Sequence, residues 1–222
     1  MPKCSIYLSI LSPKMSVKKL LSTIADLHTV IEGIHFDVMD GKFVQNSTID
    51  WQTPELLRKI KNQFPELQYS VHLMTKNPQV YLRRYAAAGA NEITVHAEAV
   101  KFKQTAVISS KVRKRKVKIG IALNPETKID NFQKIAPFFD SVLVMSVHPG
   151  KGGLKFIPST ASKIKKLADK FPEIDVAVDG GIDAKTAPLL KTLGAKKLII
   201  GSAILKHKNP FEAAYKIKKA LL

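Results

Sequence analysis

The chain has one cysteine, Cys4, among 222 residues. No intrachain disulfide can form, and a reducing cytoplasm is the expected setting. It also lacks any apolar run near the roughly 20 residues that span a bilayer, so no membrane is expected. Its first residues, MPKCSIYLSILSPK, are too short and too interrupted to read as a signal peptide. Linkers of Ser/Gly/Pro character are missing, so residues 1–222 are read as one domain, long enough to bury a substantial core. Acidic side chains are scarce: 18 Asp and Glu stand against 36 Lys and Arg, a formal net charge of +18. Such a field suits nucleic acid, an acidic membrane surface or a phosphorylated metabolite. The densest basic run, residues 111–118, closes a predicted helix, where cations complement the C-terminal end. Other lysines, such as Lys18, Lys19, Lys165, Lys166, Lys218 and Lys219, are spread over the polar faces of separate helices. That distribution reads as a solvated surface, and nucleic acid is not the expected partner.

What is present is apolar patterning, with 45% apolar residues and a globular fold to expect. Short buried runs at 5–11, 33–39, 67–74, 91–96, 117–123, 141–147, 174–181 and 196–202 read as strands. Amphipathic helices follow them. Ser16 caps the first, Pro54 opens the second and Asn77-Pro78 the third, which ends before Gly89. The fourth reaches about Lys114, and the others start near Asp130, Pro158, Ala184 and Asn209-Pro210. Eight strands alternating with eight helices in this length favour a closed parallel (β/α)8 barrel, a TIM barrel, over an open α/β sheet.

Nearly every polar residue that intrudes on a strand sits at its C-terminal end: Ser9, Asp37, His72, His96, Asn124, Ser146, Asp179 and Gly201-Ser202. Barrels carry their active sites on that rim. In the segment HFDVMDG, His35, Asp37 and Asp40 can each bind a metal or move a proton. His35 and Asp37 share one strand face and could hold one ion. With His72 and Asp179 they make two imidazoles and two carboxylates, a set suited to one divalent cation. Zinc comes first, with manganese, iron(II) or cobalt as alternatives. His96 is read as a neighbour that supports this set, His28 and His207 as solvated, and His148 as lying beside the glycine-rich loop. Gly150–Gly153, Gly180-Gly181 and Gly201-Ser202 form three turns whose amides could cradle a phosphate, with a short helix after the eighth strand adding its dipole.

From end to end the chain resembles the ribulose-phosphate 3-epimerases. The matching segments are SILS (9–12), HFDVMDGKFVQN (35–46), VHLM (71–74), ITVHAE (93–98), LNPET (123–127), VLVMSVHPGKGG (142–153), VDGGI (178–182) and GSAI (201–204). The resemblance implies a (β/α)8 barrel that interconverts D-ribulose 5-phosphate and D-xylulose 5-phosphate. It implies His35, Asp37, His72 and Asp179 as metal ligands, with Asp37 and Asp179 also the catalytic acid–base pair. Ser9, His72, Gly150, Gly152, Gly153, Gly180, Gly181, Gly201 and Ser202 take the positions of substrate and phosphate contacts. Met39, Met74 and Met145 match methionines around the reacting centre. Family members usually associate, so a homo-oligomer is expected.

Several positions depart from the family's pattern. Gln45 stands where a proline is usual, which predicts a looser turn. Lys151 and Leu154 replace an aromatic and an amide, and Lys151 either adds charge to the phosphate clamp or points into solvent. Lys14 replaces an aspartate and Asp50 a glycine. None of these removes a metal or acid–base group. The alternatives are an epimerase for a six-carbon ketose phosphate such as D-allulose 6-phosphate, and a barrel that binds sugar phosphate or RNA without turnover.

Overall fold

The apolar runs fold into strands buried on both faces, as parallel strands covered by helices must be. In the computed structural model, β1 (Ser5–Ser9), β2 (Gly33–Met39), β3 (Gln68–Met74), β4 (Glu92–His96), β5 (Lys118–Leu123), β6 (Ser141–Met145), β7 (Asp175–Asp179) and β8 (Lys197–Ile200) close into one barrel. The strands lie in chain order and are parallel, and β1 pairs with β8. The structure describes residues 4–11, 15–130 and 132–222. Ser12 and Lys14, both named above, lie outside the described residues.

The helices are α1 (Val17–Leu27), α2 (Pro54–Gln63), α3 (Gln79–Ala88), α4 (Phe102–Arg113), α5 (Phe132–Ile135), α6 (Thr160–Lys170), α7 (Ala187–Thr192), α8 (Ser202–Leu205) and α9 (Pro210–Ala220). The Ser16 hydroxyl accepts the Lys19 amide at 3.2 Å, and the Thr53 hydroxyl accepts that of Leu56 at 3.2 Å, satisfying donors that a helix start leaves free. Several sequence boundaries move. β1 stops at Ser9, two residues early, while β4 ends at His96 as expected, before a 3-10 turn at Ala97–Ala99. The helix expected from Asp130 is only one turn, followed by a 3-10 turn at Ala136–Phe138, where Pro137 has no amide hydrogen to continue it. α7 is regular helix from Ala187, and its entry is capped near the expected start: the Asp183 carboxylate accepts the Lys185 and Thr186 amides at 2.9 Å, and its carbonyl accepts the Ala187 amide at 2.9 Å.

Two apolar clusters hold the architecture. The larger lies between barrel and helices; fully buried residues such as Ile24, Leu57 and Ile164 belong to it, each contributing about 1.5–3 kcal/mol. The smaller joins Tyr7, Ala122, Leu143, Met145, Val147, Ala177 and Ile199. Strand alternation turns those residues of β1 and β5–β8 to the barrel interior, along with His35, Asp37, His72, Thr94 and His96 of β2–β4. The lumen is therefore apolar on one side and polar on the other.

At the N-terminal end of the lumen, where β4 and β8 begin, an ion pair joins Glu92 to Lys197. The Ser141 hydroxyl donates to Glu92 at 2.5 Å, and the Lys197 ammonium sits 4.6 Å from the Tyr7 ring centre. Glu92 and Lys197 are only 9% and 14% exposed, so neither charge has bulk water to fall back on.

Candidate active site

Register brings the first half of the site together. Asp37 on β2 pairs with His72 on β3, and His35 pairs with Ser70. Asp179 ends β7 beside Met145. One donor atom from each of His35, Asp37, His72 and Asp179 lies within 4.8 Å of the others. The Asp37 Oδ1 is 3.4 Å from both His35 Nε2 and His72 Nδ1, and Asp179 Oδ2 is 3.8 Å from His72 Nδ1. His35 uses its other nitrogen on the Ser70 hydroxyl at 2.7 Å, and His72 uses its Nε2 on His96 at 2.8 Å. His35 Nε2 and His72 Nδ1 are fully buried with no hydrogen-bond partner. Orphaned buried polar atoms are costly. Two of them aimed at a carboxylate pair fit a divalent cation, and the N2O2 set is one that zinc accepts.

The electrostatics agree with that fit. Burial pushes the Asp179 carboxyl well above the usual carboxylate range, and the neighbouring Asp37 charge adds to the push. Burial also works against Asp37, but His35 and His72 outweigh it and hold its carboxyl far below that range. His72 is brought down to about 4, chiefly by burial, and stands as a neutral imidazole able to ligate. For His35 burial is opposed and overcome by the Asp37 charge, which raises it. The two carboxylates thus sit in one site with their proton affinities pushed apart, as acid–base pairs do.

Above them opens a cavity of about 640 Å³. Ser9, Asp37, Met39, Met74, Met145, Asp179, Gly150, Lys151, Gly152, Gly153, Gly180, Gly181, Gly201 and Ser202 all line it. The three methionines are buried at its base. Ser9 does more than line the wall: its hydroxyl donates to Asp37 Oδ2 at 2.6 Å. Lys151 is exposed and lines the mouth.

Other residues fall elsewhere. Asp40 turns away from the cluster and accepts the amides of Lys42, Phe43 and Lys76 at 2.8–2.9 Å, bracing the loop after β2. His148 is exposed and lies 3.5 Å from Glu126, and His28 and His207 are exposed. Beside Gln45, Asn46 donates to the Gly150 carbonyl at 2.5 Å and ties that loop to the glycine-rich one.

Several neighbours of the site carry no signal in the sequence. Gln52, fully buried, accepts the Asp37 amide at 2.7 Å, and the Thr48 hydroxyl donates to the Asp37 carbonyl at 2.5 Å. Together they fix the backbone beneath the carboxylate. Lys206 also reaches the cavity, after α8. Single polar residues in loops have no period or spacing to mark them.

A family model described as the ribulose-phosphate 3 epimerase family matches residues 5–205. A ribulose-phosphate 3-epimerase of Bacillus subtilis (strain 168) is 38% identical over 190 residues, covering 83% of this chain and 85% of that protein. The cytoplasmic isoform of ribulose-phosphate 3-epimerase from Oryza sativa subsp. japonica is 32% identical over 194 residues, 85% of this chain and 82% of its own length. Among solved structures, a 3-hexulose-6-phosphate synthase superposes with a TM-score of 0.78 at 16% identity, covering 98% of this chain and all of that one, a likeness of fold. With the barrel, the four-residue cluster and these sequence matches in hand, the chain belongs to the ribulose-phosphate 3-epimerase family.

Proposed function

We propose that this pentose-phosphate epimerase interconverts D-ribulose 5-phosphate and D-xylulose 5-phosphate, with Asp37 and Asp179 as the two proton-transfer groups. The observation that carries the reading is geometric: two carboxylates, Asp37 and Asp179, from opposite parts of the barrel both line the cavity and meet in one cluster with His35 and His72. Inverting a carbon next to a ketone means removing its proton from one face and returning one to the other. Asp37, the stronger acid, begins as base, and Asp179, held protonated more readily, begins as acid; in the reverse direction they exchange roles. Ser9, Gln52 and Thr48 hold Asp37 in place while it moves the proton. Met39, Met74 and Met145 line the reacting centre with adaptable apolar surface that excludes water from the enediolate.

His35, Asp37, His72 and Asp179 would hold one divalent ion, zinc first. When bound, such an ion would supply Lewis-acid polarisation of the ketone and offset the negative charge that gathers between the two carboxylates. Chelation is expected to bring turnover to background and zinc or manganese to restore it, read by the coupled formation of xylulose 5-phosphate. Full activity in metal-free protein would overturn the metal assignment.

The phosphate is assigned to the glycine turns and Ser202, with Lys151 at the mouth. Gly181 has φ +64°, and a methyl there would lie 2.7 Å from Phe156 Cα and overlap the Phe156 amide nitrogen. The Gly181→Ala substitution is expected to raise KM about tenfold or more, equivalent to about 1.4 kcal/mol, with kcat less affected because the grip is remote from the reacting carbon. Steady-state kinetics on both pentose phosphates check this.

A cytoplasmic setting and a homo-oligomeric state complete the proposal. The lone cysteine supports the first, and among the described residues no helix is long and apolar enough to cross a membrane. The test of the whole is NMR in deuterated water with zinc-loaded protein and D-ribulose 5-phosphate. Deuterium at C3 of xylulose 5-phosphate supports the reading. No exchange with ribulose 5-phosphate, and turnover of allulose 6-phosphate in its place, would overturn the substrate assignment.

A further inference from the structure

A line of hydrogen bonds leads away from His72, on the side opposite the orphaned Nδ1. His72 Nε2 lies 2.8 Å from His96 Nε2, and His96 Nδ1 lies 3.0 Å from Glu98 Oε2. The other Glu98 oxygen accepts the Asn124 amide at 3.1 Å and the Thr127 hydroxyl. Both imidazoles have no exposed surface. Their rings are stacked at 4.8 Å and 26°, and Phe43 packs on His96 at 4.7 Å. The rings are therefore held in orientation as well as contact.

The direction of these bonds follows from what each group can give. An ionised carboxylate only accepts, so His96 Nδ1 must carry a hydrogen. A neutral His96 then has a bare Nε2, which accepts. His72 Nε2 must then donate, and a neutral His72 is left with a bare Nδ1. That bare nitrogen is the one facing Asp37 and Asp179, without a partner of its own. The reverse direction would place a hydrogen on His72 Nδ1, between two carboxylates and against any cation.

We propose that Glu98 is a positioning residue that acts through His96 to fix the His72 tautomer, so that the Nδ1 lone pair always faces the ion. The inference rests on reading His35, Asp37, His72 and Asp179 as metal ligands. It assigns Glu98 a task beyond bracing the loop after β5, and it makes His96 the link between them. Partners of this kind, when removed, weaken metal affinity by about 10- to 100-fold.

The experiment uses the full chain with specifically labelled histidine. The 15N spectra of metal-free protein report each ring's tautomer, and chelator competition reports zinc affinity. Wild type is expected to show His72 protonated on Nε2 and His96 on Nδ1, and to bind one zinc. E98A is expected to give mixed His72 tautomers and zinc binding weakened by about 10- to 100-fold. E98Q has one acceptor oxygen for donors that Glu98 meets with two, His96 on one side and Asn124 and Thr127 on the other, so it is expected to fall between wild type and E98A. A purely structural tie would leave both the tautomer and the affinity unmoved in E98A, and that result overturns the proposal. If E98A does not fold, the wild-type spectrum decides, since His72 protonated on Nδ1 also overturns it. A wild type that binds no zinc but shows these tautomers would sink the metal reading and leave the hydrogen-bond direction standing.

Discussion

Asp179→Asn is expected to lower kcat by about 10²- to 10⁴-fold, the range that one positioned proton-transfer group supplies. The amide keeps the shape of the carboxyl and can neither take up nor deliver the proton. The partner substitution Asp37→Asn should cost a similar factor, but the two variants should separate by isotope. With one carboxylate left, a proton can still be drawn from one face of one epimer. Deuterium should therefore enter the recovered epimer that each variant still deprotonates, without conversion to the other. Exchange into both epimers in either variant would contradict a two-base scheme.

The same two substitutions should differ in stability. Asp179 is pushed upward by burial and by the Asp37 charge, so its ionised form is already disfavoured in the metal-free fold. Asp179→Asn removes that repulsion, and the metal-free protein should melt at the same temperature or higher, as expected where a site holds strain for activity. Asp37 accepts from Ser9 and faces His35 and His72, so Asp37→Asn should melt lower. Thermal unfolding of both metal-free variants checks the contrast.

Glu92→Leu is expected to destabilise the protein by about 3–5 kcal/mol, because it leaves the Lys197 ammonium uncompensated at the closed end of the lumen. The loss should not come from the missing attraction alone. A double replacement, Glu92→Leu with Lys197→Leu, removes both charges and should recover most of it, since a buried pair often barely outweighs its desolvation. Denaturant unfolding of the single and double variants measures the difference. The pair also has a pH signature. Burial opposes the Glu92 carboxylate, but Lys197 and Ser141 outweigh it and hold its pKa below the unfolded value of 4.5. Its contribution is complete above about pH 4.5 and fades as pH falls through the lower folded value. Glu92→Gln should therefore flatten the loss of stability on acidification in that window. Crowding around the pair explains Gly120: an added methyl would lie 2.6 Å from the Thr94 hydroxyl and 2.7 Å from that of Ser141.

The barrel was legible because its signal repeats. Apolar strands buried on both faces recur eight times with helical segments between them, and the polar groups singled out for chemistry lie toward the same end of their strands. His35, Asp37, His72 and Asp179 could be grouped from position alone, since a closed barrel gathers its strand ends on one rim. The glycine turns were legible for the same reason, and all of them line the cavity. Boundaries were less so. The helix expected from Asp130 came out as one turn and a 3-10 turn around Pro137, an interruption that the apolar spacing does not display.

By itself, then, the sequence determined the eightfold alternation, the rim on which chemistry gathers and the identity of the four candidate ligands. Their periodicities and residue types are local properties of the chain. Only the tertiary structure decided that Asp40 braces a loop, that Gln52 and Thr48 hold the Asp37 backbone, and that Glu92 finds Lys197 105 residues away. It also decided which nitrogen of His72 is free. Such facts depend on register and on single contacts between distant segments, where one residue of slip turns every side chain to the other face.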